Sequence, residues 1–344
     1  MADLFGLSLL AIAAIILTWG FDFVNGFHDS ANSIATIVAT KVLTPVQAVT
    51  MAAFCNFLGF VLLGSAVAAM IQTGIIHPEL VTDYGIPLVL SALLGAIGWD
   101  LITWWLGIPT SSSHALVGGL LGAGGAAIGL SAINWAGVGK IVIFIIASPA
   151  IGFVAGFFIV AIVIKIMKRT PRAKSNRWFR HLQIVSSALY SITHGANDAQ
   201  KGMGIIMLIL VAATAGSANP IAASESAFLW VALSCYIALA LGTFFGGWRI
   251  VKTMASRITK LEPYQGFSAE TGAAAILAAT AHFGIPVSTT HTISGSIMGV
   301  GSAKRVSAVR WGIGRRIVWA WVLTIPAAAT ISGIIFWSYL NFLM

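Results

Sequence analysis

Apolar stretches able to cross a hydrocarbon layer of roughly 30 Å as helices recur along the whole chain. They lie at 5–24, 46–72, 86–106, 141–164, 182–193 continuing into 203–215, 226–248 and 317–342. Two further stretches, 110–130 and 268–300, are interrupted by Gly, Pro and polar residues. With 58% hydrophobic and 8% charged residues over 344 positions, the chain reads as an all-α polytopic membrane protein. The first stretch has no basic residue before it and no small-residue cleavage site, so it reads as an anchor rather than a removed signal.

The net charge of +9 is a topology signal. Lys165, Lys168, Arg169, Arg172, Lys174, Arg177 and Arg180 crowd one loop; Arg249, Lys252, Arg257 and Lys260 a second; Lys304, Arg305, Arg310, Arg315 and Arg316 a third. Each cluster abuts an apolar run, which marks cytoplasmic loops under the positive-inside rule and argues against a nucleic-acid partner. Cys55 and Cys235 fall inside apolar runs as small hydrophobes, with no disulfide or zinc spacing.

Following the charge along the chain gives two halves of opposite orientation. Residues 1–166 form one repeat, 167–181 a basic cytoplasmic linker and 182–344 the other repeat. Each has three crossings, some broken, plus one re-entrant helical hairpin, at 86–130 and 268–300. Both termini are expected outside, and the outer loops carry His77, Glu79, Asp83 and Glu225. Inverted repeats with discontinuous helices are a common build of secondary transporters, with the binding site where the broken elements meet.

An internal duplication supports this. GIPTSSSHALVGGLLGAG (107–124) and GIPVSTTHTISGSIMGVG (284–301) agree at eight of eighteen positions. Proline suits a helix start, and Ser111, Ser112 and Ser113, like Ser288, Thr289 and Thr290, place hydroxyls and free N–H groups at the positive end of a helix dipole. Such an end binds oxyanions. His114 and His291, one turn in, are candidates for proton relay, for donation to an oxyanion or for helix packing against a carbonyl, and Gly118, Gly122, Gly295 and Gly299 have the spacing of close helix packing.

Five of the ten acidic residues, Asp22, Asp29, Asp100, Asp198 and Glu270, lie in apolar stretches; Asp3, Glu79, Asp83, Glu225 and Glu262 lie in loops or at the terminus. Ionisable groups in a membrane mark function by default. A second internal match singles out two: GFHDSAN (26–32) against GANDAQK (195–201). In both, Gly precedes Asp by three positions, where a helix break is expected. Asp29, Asn32, Asn197 and Asp198 then supply hard oxygen ligands for a small cation or a proton. His28, His194 and Lys201 sit beside them, Lys201 as a charge partner in the empty state.

GFHDSAN, HGANDAQKGMGI, GIPTSSSH and GIPVSTTH together resemble the paired signatures of the PiT family of inorganic phosphate transporters, nearest to the bacterial low-affinity permeases. The resemblance spans nearly the whole chain. It implies a secondary transporter, not an enzyme, in the bacterial inner membrane, expected as a homodimer embedded in lipid, that imports phosphate by symport with H+ or Na+. A divalent metal carried with phosphate as a neutral complex is also implied for some members.

Residue by residue, the resemblance gives Asp29, Asn32, Asn197 and Asp198 to the coupling cation and Ser111, Ser112, Ser113, Ser288, Thr289, Thr290 and Gln200 to phosphate. It makes Glu270 a carboxylate required for transport, while Asn56 falls where some eukaryotic members carry an acid. His28 departs from the Asn of many sodium-coupled members and tilts the expectation to protons, with His28, His114 and His291 as relay candidates. The competing readings are a sulfate or other oxyanion permease of the same fold, a divalent-metal transporter and a channel. An intramembrane hydrolase is disfavoured because Ser111, Ser112 and His114 crowd one helix start without an orienting third group.

Overall fold

The computed structural model describes residues 7–62, 66–77, 80, 84–213, 225–285 and 287–343. Asp3, Glu79, Asp83, Pro286 and Met344, and the side chain of Glu225, lie outside the described residues. The described chain is helical, with one isolated bridge between Ile76 and Ile133. The helices are α1 (Leu9–Ala39), α2 (Pro45–Leu58), α3 (Ala66–Thr73), α4 (Ile86–Leu106), α5 (Ser112–Ile128), α6 (Trp135–Met167), α7 (Arg172–Ala213), α8 (Glu225–Phe245), α9 (Trp248–Ser256), α10 (Pro263–His282), α11 (Thr289–Lys304) and α12 (Trp311–Phe342). Six helices among the described residues are long and apolar enough to cross a membrane.

Local sequence sets the ends. Thr44 and Gln47 form a capping box ahead of α2, with Pro45 in its first turn. Each Gly-Ile-Pro motif turns out to be a helix stop followed by a helix start. Gly107 and Gly284 take left-handed φ values of 65° and 64°. The next N–H, of Ile108 and Ile285, reaches back to the carbonyls of Thr103 and Thr280, both at 2.9 Å, which satisfies carbonyls left open at the helix end. Four residues beyond each glycine, Ser111 and Ser288 cap the next helix, each accepting from a histidine N–H, His114 or His291, at 3.2 Å.

The packing of the two halves is reciprocal. Hairpin α4–α5 lies against α12, while hairpin α10–α11 lies against α6; α1 packs on α8, and α7 on α2. Glycine makes both hairpin contacts possible. A methyl group at Gly118 or Gly122 would collide with the backbone of α12 at Ile325 and Ala329, and one at Gly295 or Gly299 with α6 at Pro149 and Phe153. The spacing read from the sequence is therefore packing spacing.

One expectation is corrected. The acidic signatures do not break their helices: α1 runs unbroken through Asp29, and α7 runs 42 residues through Asp198, about 63 Å. Gly26 and Gly195 serve close approach instead, Gly26 against Leu239 and Thr243 of α8 and Gly195 against Asn56 of α2. The interruptions fall one element later. The axes of 45–61 and 66–73 differ by 85°, and α8 gives way to α9 at Gly246 and Gly247. The basic stretch 167–181 consists of the end of α6, a short turn and the opening turns of α7.

Candidate functional site

Polar residues on α1 and α7 each fall on one helical stripe. Asn25, Asp29, Asn32 and Thr36 are spaced four, three and four apart on α1; Gln183, Ser187, Tyr190, His194, Asp198 and Lys201 follow a similar rhythm on α7. All are buried. Because the two helices pack together, the stripes meet inside the molecule, where unpaired polar groups are costly.

At the centre stand two carboxylates. Asp29 Oδ1 lies 2.7 Å from His28 Nδ1, and His28 Nε2 approaches the hydroxyls of Thr103 at 3.2 Å and Thr110 at 3.3 Å, at the turn of the first hairpin. Asp198 Oδ2 lies 3.1 Å from Lys201 Nζ and 3.4 Å from His194 Nε2 as ion pairs, and neither carboxylate oxygen has a hydrogen-bond partner among the described residues. Asn56 orients His194, its Oδ1 lying 3.2 Å from Nδ1 while its amide donates to Thr243. One ligating atom each from Asp29, His194 and Asp198 lie within 4.8 Å of one another. Two carboxylates and an imidazole at that separation suit a small or divalent cation.

The hairpin tips press directly on this acidic centre. Ser112 Oγ accepts from Lys201 Nζ at 2.9 Å and lies 2.6 Å from Asn25 Oδ1 and 3.1 Å from Asp29 Oδ2, one hydroxyl proton facing two acceptors. Across the site, Asn32 Nδ2 donates to Thr290 Oγ1 at 2.9 Å and to Thr289 Oγ1 at 3.3 Å. Ser113, His114, Asn197, Asp198 and Lys201 border a cavity of about 10 Å³, at the lower bound of the space one water needs. Asn197 spends its amide protons on the carbonyls of Thr193 and Leu277.

Four expected residues lie elsewhere in this arrangement. Gln200 does not face the tips: its Oε1 accepts from the N–H groups of Val67 and Ala68, capping α3, and its amide donates to Ala196 O. Both ends of its side chain are engaged in this arrangement. Glu270 sits with Thr36, Gln183 and Ser186, all three donating to it. Thr36 is two helical turns from Asp29, about 10 Å along α1. His114 and His291 meet each other, ring centroids 4.8 Å apart, with His291 stacked on Trp321 at 4.0 Å. The pair joins the two hairpins by ring packing.

Asn25, Thr36, Thr103, Thr110, Gln183, Ser186 and Tyr190 were not anticipated as site residues. The available signal was the helical rhythm of polar residues inside apolar runs. Asp22 and Asp100 are fully buried, and Asp22 lies beside the Cys235 thiol.

Residues 25–332 match the family model described as Phosphate transporter family. The chain is 52% identical to a probable low-affinity inorganic phosphate transporter of Rhizobium meliloti (strain 1021), covering 96% of each. It is 46% identical to a protein of the same description from Bacillus subtilis (strain 168), covering 95% of this chain and 96% of that one. Among solved structures it is similar to one described as the sodium-dependent phosphate transporter, with TM-score 0.84, 28% identity and coverage of 98% of this chain and all of the other.

Proposed function

From the premise that the chain belongs to the phosphate transporter family, we propose that it imports inorganic phosphate by cation symport, with protons as the coupling ion. It is a membrane transporter, not an enzyme. The observation that carries the coupling is the direct contact between the two poles of the site: Ser112, at the hydroxyl tip, bonds to the Lys201 ammonium and lies 3.1 Å from Asp29. A phosphate oxygen arriving at Ser112 competes for hydrogen bonds that now hold the acidic centre.

An inside-negative membrane opposes anion entry by about 2.3 kcal/mol per charge per 100 mV. Phosphate, with between one and two negative charges near neutral pH, therefore needs cations bound at Asp29 and Asp198. Their occupancy offsets repulsion and lets Ser111, Ser112 and Ser113 with Ser288, Thr289 and Thr290 take the anion from the two helix starts. His28, between Asp29 and the hairpin hydroxyls, carries the proton in this scheme. The reciprocal packing of hairpins and closing helices supports two inverted repeats that rock against each other for alternating access. We place the protein in a bacterial inner membrane with both termini outside, as a homodimer. Glu270, held by three donors, steadies α10 against α1 and α7.

The test is labelled phosphate uptake in proteoliposomes with pH and sodium gradients imposed separately, and with sulfate as competitor. Uptake driven by the pH gradient and resistant to sulfate is expected; sulfate uptake without phosphate uptake overturns the anion assignment, and uptake following only the sodium gradient overturns the proton. A second reading rests on the mixed oxygen and nitrogen set of Asp29, His194 and Asp198, which suits a divalent ion carried as a metal-phosphate complex. Phosphate-dependent uptake of labelled divalent metal checks it.

Ser112→Ala removes a neutral donor from a charged oxyanion, a bond worth about 1.5–3 kcal/mol. The expected result is a rise of roughly 10–100-fold in the phosphate KM with protein yield unchanged, read in the same vesicles.

A further inference from the structure

The two acidic signatures share one plan and differ at one position that decides charge. Aligned on Asp29 and Asp198, Asn32 and Lys201 are equivalents, each three residues further along its helix and each buried. Both reach a hairpin start in the opposite half. Asn32 donates to Thr289 and Thr290 of the second hairpin, Lys201 to Ser112 of the first. The second copy thus puts an ammonium where the first has a neutral amide.

That ammonium is held on three sides. It donates to Ser112 Oγ at 2.9 Å and Asn25 Oδ1 at 3.4 Å and forms an ion pair with Asp198 Oδ2 at 3.1 Å. A buried carboxylate needs a compensating charge; Asp29 has His28 beside it, and Asp198 has Lys201. Neither Asp198 oxygen has a hydrogen-bond partner among the described residues, and one of them converges with Asp29 and His194.

We propose that Lys201 is a resident cation. Its ammonium holds the place on Asp198 that a mobile alkali cation would otherwise take, and turns from Asp198 to the anion when phosphate reaches Ser112. This half of the site then needs no alkali ion of its own. The second step rests on the phosphate-transport reading; the first does not.

The test uses the purified full-length protein in detergent, without phosphate, melted in sodium chloride and in choline chloride. The wild type is expected to melt alike in both, and Lys201→Asn, which installs the residue of the first signature, to melt several degrees higher in sodium. Lys201→Gln serves as a second neutral variant, and Asp198→Asn added to Lys201→Asn removes the sodium shift. In proteoliposomes, phosphate uptake by the wild type is equal in sodium and choline, while sodium speeds the Lys201→Asn variant roughly tenfold, a step of about 1.4 kcal/mol. The same sodium response in wild type and neutral variants, whether present or absent, overturns the proposal, as does sodium stabilisation of the wild type. If the wild type carries no phosphate, the transport reading falls while the melting comparison still decides the role of Lys201.

Discussion

Asp198→Asn is expected to abolish phosphate uptake in reconstituted vesicles, and near-normal uptake by that variant would sink the site described above. The aspartate is where the second signature, His194 and Lys201 converge. Its neutral replacement keeps the shape but leaves the Lys201 ammonium buried without its counter-charge. Breaking a buried pair from one side costs about 3–5 kcal/mol, so the single variant should also melt lower. The double variant Asp198→Asn with Lys201→Met separates the two effects, because it removes both charges. Its melting temperature should recover most of the loss while uptake stays absent. Recovery of uptake along with stability would make Asp198 a structural partner of Lys201 and nothing more.

Gly299→Leu, and independently Gly122→Leu, should give the largest losses of folded protein of any hairpin substitution. At both positions the first added carbon meets backbone carbonyl, Phe153 O in one case and Ala329 O in the other. A flexible side chain could swing away; a helix backbone seated along its length cannot. Overpacking in well-packed interiors usually costs about 1–3 kcal/mol, and a leucine wedged between two helix backbones belongs at or beyond the top of that range. Gly125 is the control, with nothing among the described residues within 4 Å of its would-be Cβ. Gly125→Ala should be neutral or stabilising by roughly 0.5–1 kcal/mol, the helix preference of alanine over glycine. Yield and melting temperature of the three variants check the set, and a stable Gly299→Leu protein would mean that α6 and α11 are not seated as described.

Local chemistry was readable where a few neighbouring residues decide it. Ser111 and Ser288 start helices because a hydroxyl at a cap answers free N–H groups, and the glycines four residues before them stop the preceding arms; both facts lie within one motif. The opposite inference at Gly26 and Gly195 failed. Glycine permits either a break or a close approach, and only the neighbouring helix, distant in sequence, decides between them. The partner of Gln200 was hidden for the same reason, since the start of α3 that takes up its carbonyl is 133 residues away for Val67. Asn25, Gln183 and Tyr190 were passed over because one amide or phenol in an apolar run is ambiguous until the facing stripe supplies partners. Glu270 was recognised as unusual, but its separation from Asp29 depends on which turn of α1 it meets.

The seating of the first hairpin on α12 sets a timetable for biosynthesis. Ser332 of α12 donates to Gly119 of α5 across 213 residues of chain. At 5–20 residues per second a ribosome takes roughly 10–40 s to make that stretch. Throughout that time the glycine face of α5 has been synthesised and its partner has not. The second hairpin meets no such delay, because α6 is already made when α11 emerges. A nascent chain stopped short of its last helix would therefore strip the first hairpin, far upstream, while leaving the hairpin nearest the stop fully clothed.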